Sequence, residues 1–180
     1  MQAHNIVTEW IANNDPNKTL SLTNLGMTSL QPLPSNVRYL DVSYNNLTEL
    51  PLLPDSLHSL RATSNKLNII HSLPQRLVSL YVSCNNLTYL PELPETLTLL
   101  CADKNKIERL PHLPNVLEDL YIIHNKLTML PNIPTNLRTL FCFRNPLPPE
   151  FNNDETEMDW CMLYYDHTSK IEVVRQLYTK

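Results

Sequence analysis

The sequence predicts a solenoid of stacked units, with short parallel strands on a concave face, an extended convex side and a helical cap at each end. Three observations predict it. Leu20, Leu40, Leu60, Leu80, Leu100, Leu120 and Leu140 stand twenty residues apart, and Asn45, Asn65, Asn85, Asn105, Asn125 and Asn145 repeat at the same spacing. Prolines recur three apart within the same frame, at Pro51/Pro54, Pro91/Pro94, Pro111/Pro114 and Pro131/Pro134. A fixed internal period makes each unit one supersecondary element whose apolar face is covered by its neighbours.

Residues 1–19 read as an N-terminal helical cap. Ile6, Val7, Trp10 and Ile11 lie at helical spacing, which predicts a short amphipathic helix over 5–14 whose apolar side covers the first unit, and Asn13-Asn14-Asp15-Pro16 ends it. Trp10 is expected to anchor this cap.

Residues 20–147 form seven repeats, the first and last atypical. Leu40, Val42, Asn45, Leu47 and Leu50 recur as Leu60, Ala62, Asn65, Leu67 and Ile70, and so on to Leu140, Cys142, Asn145 and Leu147. This is the leucine-rich repeat pattern LxxLxLxxNxL. The alternation at Leu40-x-Val42 predicts one very short strand per unit, with Asp41 and Ser43 outward. Seven parallel strands at about 4.8 Å spacing would span roughly 30 Å. The first unit has Leu25 where the asparagine should stand. At Asn45, Asn65, Asn85, Asn105, Asn125 and Asn145 a short amide can satisfy both donors and acceptors of the main chain as it turns inward, so these six are structural.

The second half of each unit is too short and too proline-rich for a helix. Each proline fixes its own φ and pushes its predecessor out of the α region, so a polyproline-like convex side is expected. Residues 148–180 read as a C-terminal helical cap. Helical spacing recurs at Met158, Trp160, Cys161, Leu163 and Tyr164 within 154–165, and at Ile171, Val173, Val174, Leu177 and Tyr178 within 169–178.

A formal net charge of -4 with 14 Lys plus Arg predicts no basic stripe, and therefore neither nucleic acid nor anionic membrane as partner. No run approaches the length of a membrane span, and the start Met1-Gln2-Ala3-His4 lacks the features of a signal peptide. Cys84, Cys101, Cys142 and Cys161 do not cluster as a disulfide cap would, so they are expected to be ordinary thiols of a reducing compartment.

The unit LPxxLxxLxVxxNxLTxLPxLP, present as LPDSLHSLRATSNKLNIIHSLP and LPQRLVSLYVSCNNLTYLPELP, resembles the short leucine-rich repeats of secreted effectors of enteric pathogens. That family includes the Yersinia outer protein M and the invasion-plasmid-antigen ubiquitin ligases, and similar repeats occur in large-DNA-virus proteins. The resemblance covers roughly residues 20–147 and implies the repeat fold. It also implies protein recognition, in the cytoplasm or, for a secreted effector, in the host cytoplasm. The ligases carry a separate catalytic domain with a Cys-x-Asp nucleophile motif. Here the triplet is Cys101-Ala102-Asp103 inside a repeat strand, and residues 148–180 are too few for such a domain, so no ligase activity is expected.

Outward strand positions should form columns down the concave face, free to vary because the stack does not use them. One column reads Asp41, Arg61, Tyr81, Cys101, Tyr121, Phe141. The next reads Ser43, Thr63, Ser83, Asp103, Ile123, Phe143, and the third Tyr44, Ser64, Cys84, Lys104, His124, Arg144. Aromatic and arginine side chains together are the usual make-up of a binding hot spot. The candidate protein-binding residues are therefore Arg61, Tyr81, Asp103, Lys104, Tyr121, Ile123, His124, Phe141, Phe143 and Arg144; for Phe141 and Phe143 the competing reading is that the C-terminal tail folds back over them as part of the cap.

Chemistry is not expected. His58, His71, His112 and His124 scatter without a converging carboxylate or thiol, Gly26 alone cannot build a phosphate loop, and no CxxC or HxxxH starts a metal site. The expectation is a monomeric protein-binding module without catalytic residues, cofactor or metal, which recognises a partner through its concave face. Two other readings stand beside it: an adaptor whose C-terminal helices hold a second partner, and a self-assembling structural protein.

Overall fold

Each repeat contributes one strand of two or three residues, followed by a turn inward and an extended return. The computed structural model describes residues 2–13 and 15–148. The expected C-terminal helices, with Trp160, Cys161 and Tyr164, lie outside the described residues. Helix α1 (Gln2–Asn13) precedes strands β1 (Leu20–Ser21), β2 (Tyr39–Asp41), β3 (Ser59–Arg61), β4 (Ser79–Tyr81), β5 (Leu99–Cys101), β6 (Asp119–Tyr121) and β7 (Thr139–Phe141). The strands form one parallel sheet in chain order. Leu40 pairs with Leu60, Leu60 with Leu80 and Leu80 with Leu100, so the register equals the sequence period. The regular strands sit one residue earlier than the Leu40-x-Val42 reading placed them. The ladder itself continues: the Val42 N–H donates to the Arg61 carbonyl at 2.8 Å and the Tyr44 N–H to the Thr63 carbonyl at 2.9 Å.

The core consists of six columns per repeat. Leu40, Val42, Leu47 and Leu50 are buried as the pattern requires, and so are Leu53 and Leu57. The last two columns continue as Leu73, Leu93, Leu113, Ile133 and as Leu77, Leu97, Leu117, Leu137, all buried. The Leu57 column is the first leucine of the LxxLxLxxNxL pattern, and the Leu53 column is the leucine before the second proline of each pair.

The convex return is extended, but each unit also closes a tight turn. The Leu57 N–H donates to the Pro54 carbonyl at 3.0 Å, and the same bond recurs from Leu77 to Pro74, Leu97 to Pro94 and Leu117 to Pro114. Pro74, Pro94, Pro114 and Pro134 are buried, whereas Pro51, Pro91, Pro111 and Pro131 are half-buried. Two units lack the first proline, and there exposed Gln31 and His71 take its place while Pro34 and Pro74 are kept. Side chains also tie some turns to the preceding repeat. Ser56 Oγ reaches the carbonyls of Ser35 and Val37 at 2.8 and 2.6 Å, and Thr96 Oγ1 those of Gln75 and Leu77 at 2.9 and 2.8 Å.

The asparagine column works as a hydrogen-bonded spine. Asn65 Oδ1 accepts the Leu47 N–H at 3.0 Å while its Nδ2 donates to the carbonyls of Val42, Ala62 and Thr63. At the N-terminal end Asn45 Oδ1 accepts from both Leu25 and Met27 at 3.0 Å, so the atypical first repeat is served by its neighbour's amide. The cap helix starts at Gln2, three residues before the expected boundary. Ala3, Ile6 and Val7 pack against the core beside the buried Trp10, which extends the apolar stripe by one turn. Trp10 is 4% exposed, and its Nε1–H donates to the Lys18 carbonyl at 2.9 Å, so the indole is buried with its polar atom satisfied.

Candidate functional site

The residue after each inward strand leucine points outward, and on these strands the outward side chains pair along the stack. The Arg61 guanidinium lies 4.4 Å from the centre of the Tyr81 ring, a cation–π contact between adjacent repeats worth about 0.5–1 kcal/mol at such a site. Two repeats further, Tyr121 and Phe141 stack with centroids 5.1 Å apart and planes 9° from parallel. Such a pair fixes both rings and adds about 0.5–1.5 kcal/mol to their burial. The first outward column is thus ordered into two preset surfaces, with Cys101 between them.

The second column is less free than expected. Ser43 is buried, with its N–H held by Asp41 Oδ1 at 3.0 Å. Asp103 is half-buried, and its Oδ1 accepts the Ile123 N–H at 2.7 Å, so this carboxylate supports the following repeat as well as facing outward. Ile123 and Phe143 are half-buried, and Phe141 and Phe143 pack partly against the core.

The third column varies in residue type but shares one backbone conformation, which its sequence does not announce. Asn24, Tyr44, Ser64, Cys84, Lys104, His124 and Arg144 all have φ between 53 and 59°. Side chains with a Cβ pay for this left-handed backbone, and asparagine or glycine would suit it better. The turn is required by the stack, since it brings the following asparagine inward beneath the strand. Within this column Arg144 Nη1 donates to His124 Nε2 at 2.6 Å, which leaves the ring proton on Nδ1. Lys104 is exposed at the same level of the preceding repeat.

A fourth column was missed. Tyr39, Ser59, Ser79, Leu99, Asp119 and Thr139 precede the inward leucines and are half-buried on the same face. The alternation that marks Asp41 as outward applies equally to Tyr39, so the signal was available. Asn45, Asn65, Asn85, Asn105, Asn125 and Asn145 are buried and belong to the spine rather than the face.

The electrostatics of the centre disfavour a nucleophile. Burial pushes the Cys101 thiol up to about 12, with the nearby Asp103 and Asp119 carboxylates adding to the rise and Arg61 opposing it. An activated cysteine needs the opposite surroundings, a positive field that favours the thiolate. Burial likewise raises Asp103 above the usual carboxylate value, against the Ile123 N–H, Lys104 and His124. Among the described residues no three His, Cys, Asp or Glu side chains gather as a metal site, and no helix is long and apolar enough to cross a membrane.

Several solved structures share this architecture. The leucine-rich repeat domain of a Shigella effector is 34% identical over 83% of this chain and 78% of that one, with a TM-score of 0.72. YopM from Yersinia enterocolitica WA-314 is 33% identical over 71% of this chain, with a TM-score of 0.56, and the leucine-rich effector YopM from Yersinia pestis is 31% identical over 82%, with a TM-score of 0.60. The alignment spans 33% and 55% of those two YopM chains. No protein-family model and no curated protein sequence matches the chain.

Proposed function

From the premise that this chain belongs to the family of leucine-rich repeat proteins of the bacterial-effector type, we propose that it recognises a partner protein through the concave face of its sheet. The observation that carries this reading is the pre-ordering of outward side chains the core does not require, above all Arg61 held over Tyr81. Arginine and tyrosine are enriched among residues that dominate binding energy, and holding them in place beforehand reduces the entropy lost on association. The Tyr121–Phe141 stack extends the same surface toward the C-terminal repeats. Asp103, Lys104, Ile123, His124, Phe143 and Arg144 surround it with mixed polarity, as in the rim of an interface. The chain acts as a monomeric module, and by analogy with effectors its partner belongs to a host cell and is met in the host cytoplasm.

The test is capture from host-cell lysate by three proteins of equal folded stability: wild type, Arg61→Ala/Tyr81→Ala, and the convex variant Leu52→Asp. Leu52 is 87% exposed and serves as the control. A protein retained by wild type and Leu52→Asp but lost by the concave variant supports the reading. Equal retention by all three removes the concave face from consideration.

A further inference from the structure

Composition predicts no basic stripe, yet the register builds a short one. The segment that leaves each strand forms one flank of the stack, and from residue 43 to residue 147 this flank carries Lys66, Lys104, Lys106, Arg109, Lys126 and Arg144 against Glu49 and Glu108, with Asp103 at its concave edge beside Lys104. All six cations are exposed. The opposite flank, from residue 31 to residue 138, carries Asp55, Glu92, Glu95 and Glu118 against Arg38, Arg76 and Arg138, with Asp119 at its concave edge. The solenoid therefore separates charge across its width while its net charge stays negative.

The hydrogen-bond ladder fixes this flank as firmly as the strands. The Lys66, Lys106 and Lys126 N–H groups donate to the carbonyls of Leu47, Leu87 and Ile107, each in the preceding repeat, at 2.8 to 2.9 Å. Lys106 and Lys126 are consecutive in this ladder, so their Cα atoms lie about one strand spacing apart, near 5 Å. Lys104 enters from the left-handed turn two residues earlier, at φ 53°. Among the described residues none of the six forms an ion pair; the pair that does form is Arg138 with Glu118 on the other flank, at 3.4 Å. Apart from Lys104, whose charge acts on the Asp103 carboxylate, these like charges repel one another at this spacing, so their favourable use is toward an anion from outside.

We propose that this basic flank docks an acidic segment of a partner protein. The inference rests on the concave-face reading only in taking the partner to be a protein, and it adds a second surface that adjoins that face at Lys104 and Arg144 and extends beyond it through Lys66, Lys106, Arg109 and Lys126. From the repeat of Lys66 to that of Arg144 is four spacings, roughly 20 Å, the length of about six extended residues. A short run of Asp and Glu matches that reach. Lysine dominates the flank, and an ammonium acts as a point charge that accepts carboxylates in varied geometry. A nucleic acid is disfavoured because the acidic opposite flank and the net charge of -4 repel a long polyanion, whereas a short acidic run meets only the basic side.

The test uses the full chain and a fluorescein-labelled twelve-residue peptide alternating Glu and Ser, with a Gln/Ser peptide and a twelve-nucleotide oligo-dT as comparisons, read by anisotropy at 50 and 200 mM salt. Lys106→Glu/Lys126→Glu is set beside Arg38→Glu/Arg76→Glu, which changes the net charge equally on the other flank. The expected result is binding of the Glu/Ser peptide that weakens at least tenfold in the Lys106/Lys126 variant, changes less than threefold in the Arg38/Arg76 variant, and falls with salt. Equal weakening by both variants would reduce the effect to net charge and overturn the proposal. So would equal binding of the Gln/Ser peptide, absence of peptide binding, or flank-dependent binding of oligo-dT alone. Arg61→Ala/Tyr81→Ala should bind the peptide as wild type does, so failure of the concave-face reading in lysate capture leaves this measurement intact.

Discussion

The side chain of Asn85 holds the main chain of Ala62 one strand away, with Nδ2 donating to the Ala62 carbonyl at 3.0 Å across 23 residues. The same amide donates to Val82 within its own repeat and accepts the Leu67 N–H at 2.9 Å. One buried side chain thus satisfies main-chain groups of successive repeats. Asn85→Ala should cost about 2–3 kcal/mol, because these groups lose their partners where water does not replace them. Chemical denaturation measures it beside Leu52→Ala, which should fall within about 0.5 kcal/mol of wild type. A loss below about 1 kcal/mol for Asn85→Ala would remove the spine as a main source of cohesion.

Ser64 occupies a left-handed turn at φ 55°, a conformation that costs a residue with a Cβ about 1–2 kcal/mol. Glycine gives back part of that gain through the entropy of the unfolded chain. Ser64→Gly should therefore stabilise by up to about 1 kcal/mol. Thr63→Gly, one residue earlier and outside the set of left-handed residues, should destabilise. Melting temperatures of the two variants must move in opposite directions for the turn geometry to be the cause.

Asp103 should give the protein a pH-dependent penalty. Burial raises its folded pKa above the ordinary 3.8, so the unfolded chain favours its charged form more than the native state does. Above the raised pKa the ionised group costs stability, and as pH falls through that value to below 3.8 the native state takes up its proton first and the penalty disappears. Asn at this position keeps an oxygen for the Ile123 N–H without the charge. The stability advantage of Asp103→Asn over wild type should be greatest at pH 7 and shrink by pH 3.5, as read from urea midpoints. An advantage that grows with acidity would contradict the assignment.

Cys101 should be a slow thiol. With its pKa pushed up to about 12 against an ordinary 9.0, its thiolate fraction at pH 8 falls roughly 1000-fold below that of an unperturbed cysteine. Timed alkylation of the native protein with iodoacetamide, followed by peptide mass spectrometry, should leave Cys101 unmodified until unfolding. Rapid native modification would show that the triplet Cys101-Ala102-Asp103 holds an activated sulfur after all.

Much of this architecture was legible before any coordinates. Leu40, Val42, Asn45 and Leu47 sit where their spacing placed them, and Trp10 anchors the cap as its apolar spacing implied. The candidate face was legible in outline: Arg61, Tyr81, Tyr121 and Phe141 share one outward column. Their pairing was not. Which ring turns toward which neighbour depends on side-chain rotamers, and the period carries no record of them. Tyr39, Leu99 and Asp119 precede the inward leucine, at a position that the LxxLxLxxNxL pattern leaves unmarked.

What the sequence determined by itself is the stack. One turn of this solenoid consumes one period, so residues twenty apart become spatial neighbours, and a one-dimensional pattern states the main three-dimensional contact directly. The tertiary structure decided which flank each column occupies and what conformation each backbone position holds there. It placed Lys104, His124 and Arg144 in left-handed turns, set the Asp103 and Asp119 carboxylates near Cys101, and gathered Lys66, Lys106 and Lys126 along one flank. Composition averages charge over the whole chain. A folded solenoid separates it, because each column of the repeat meets solvent on one side only.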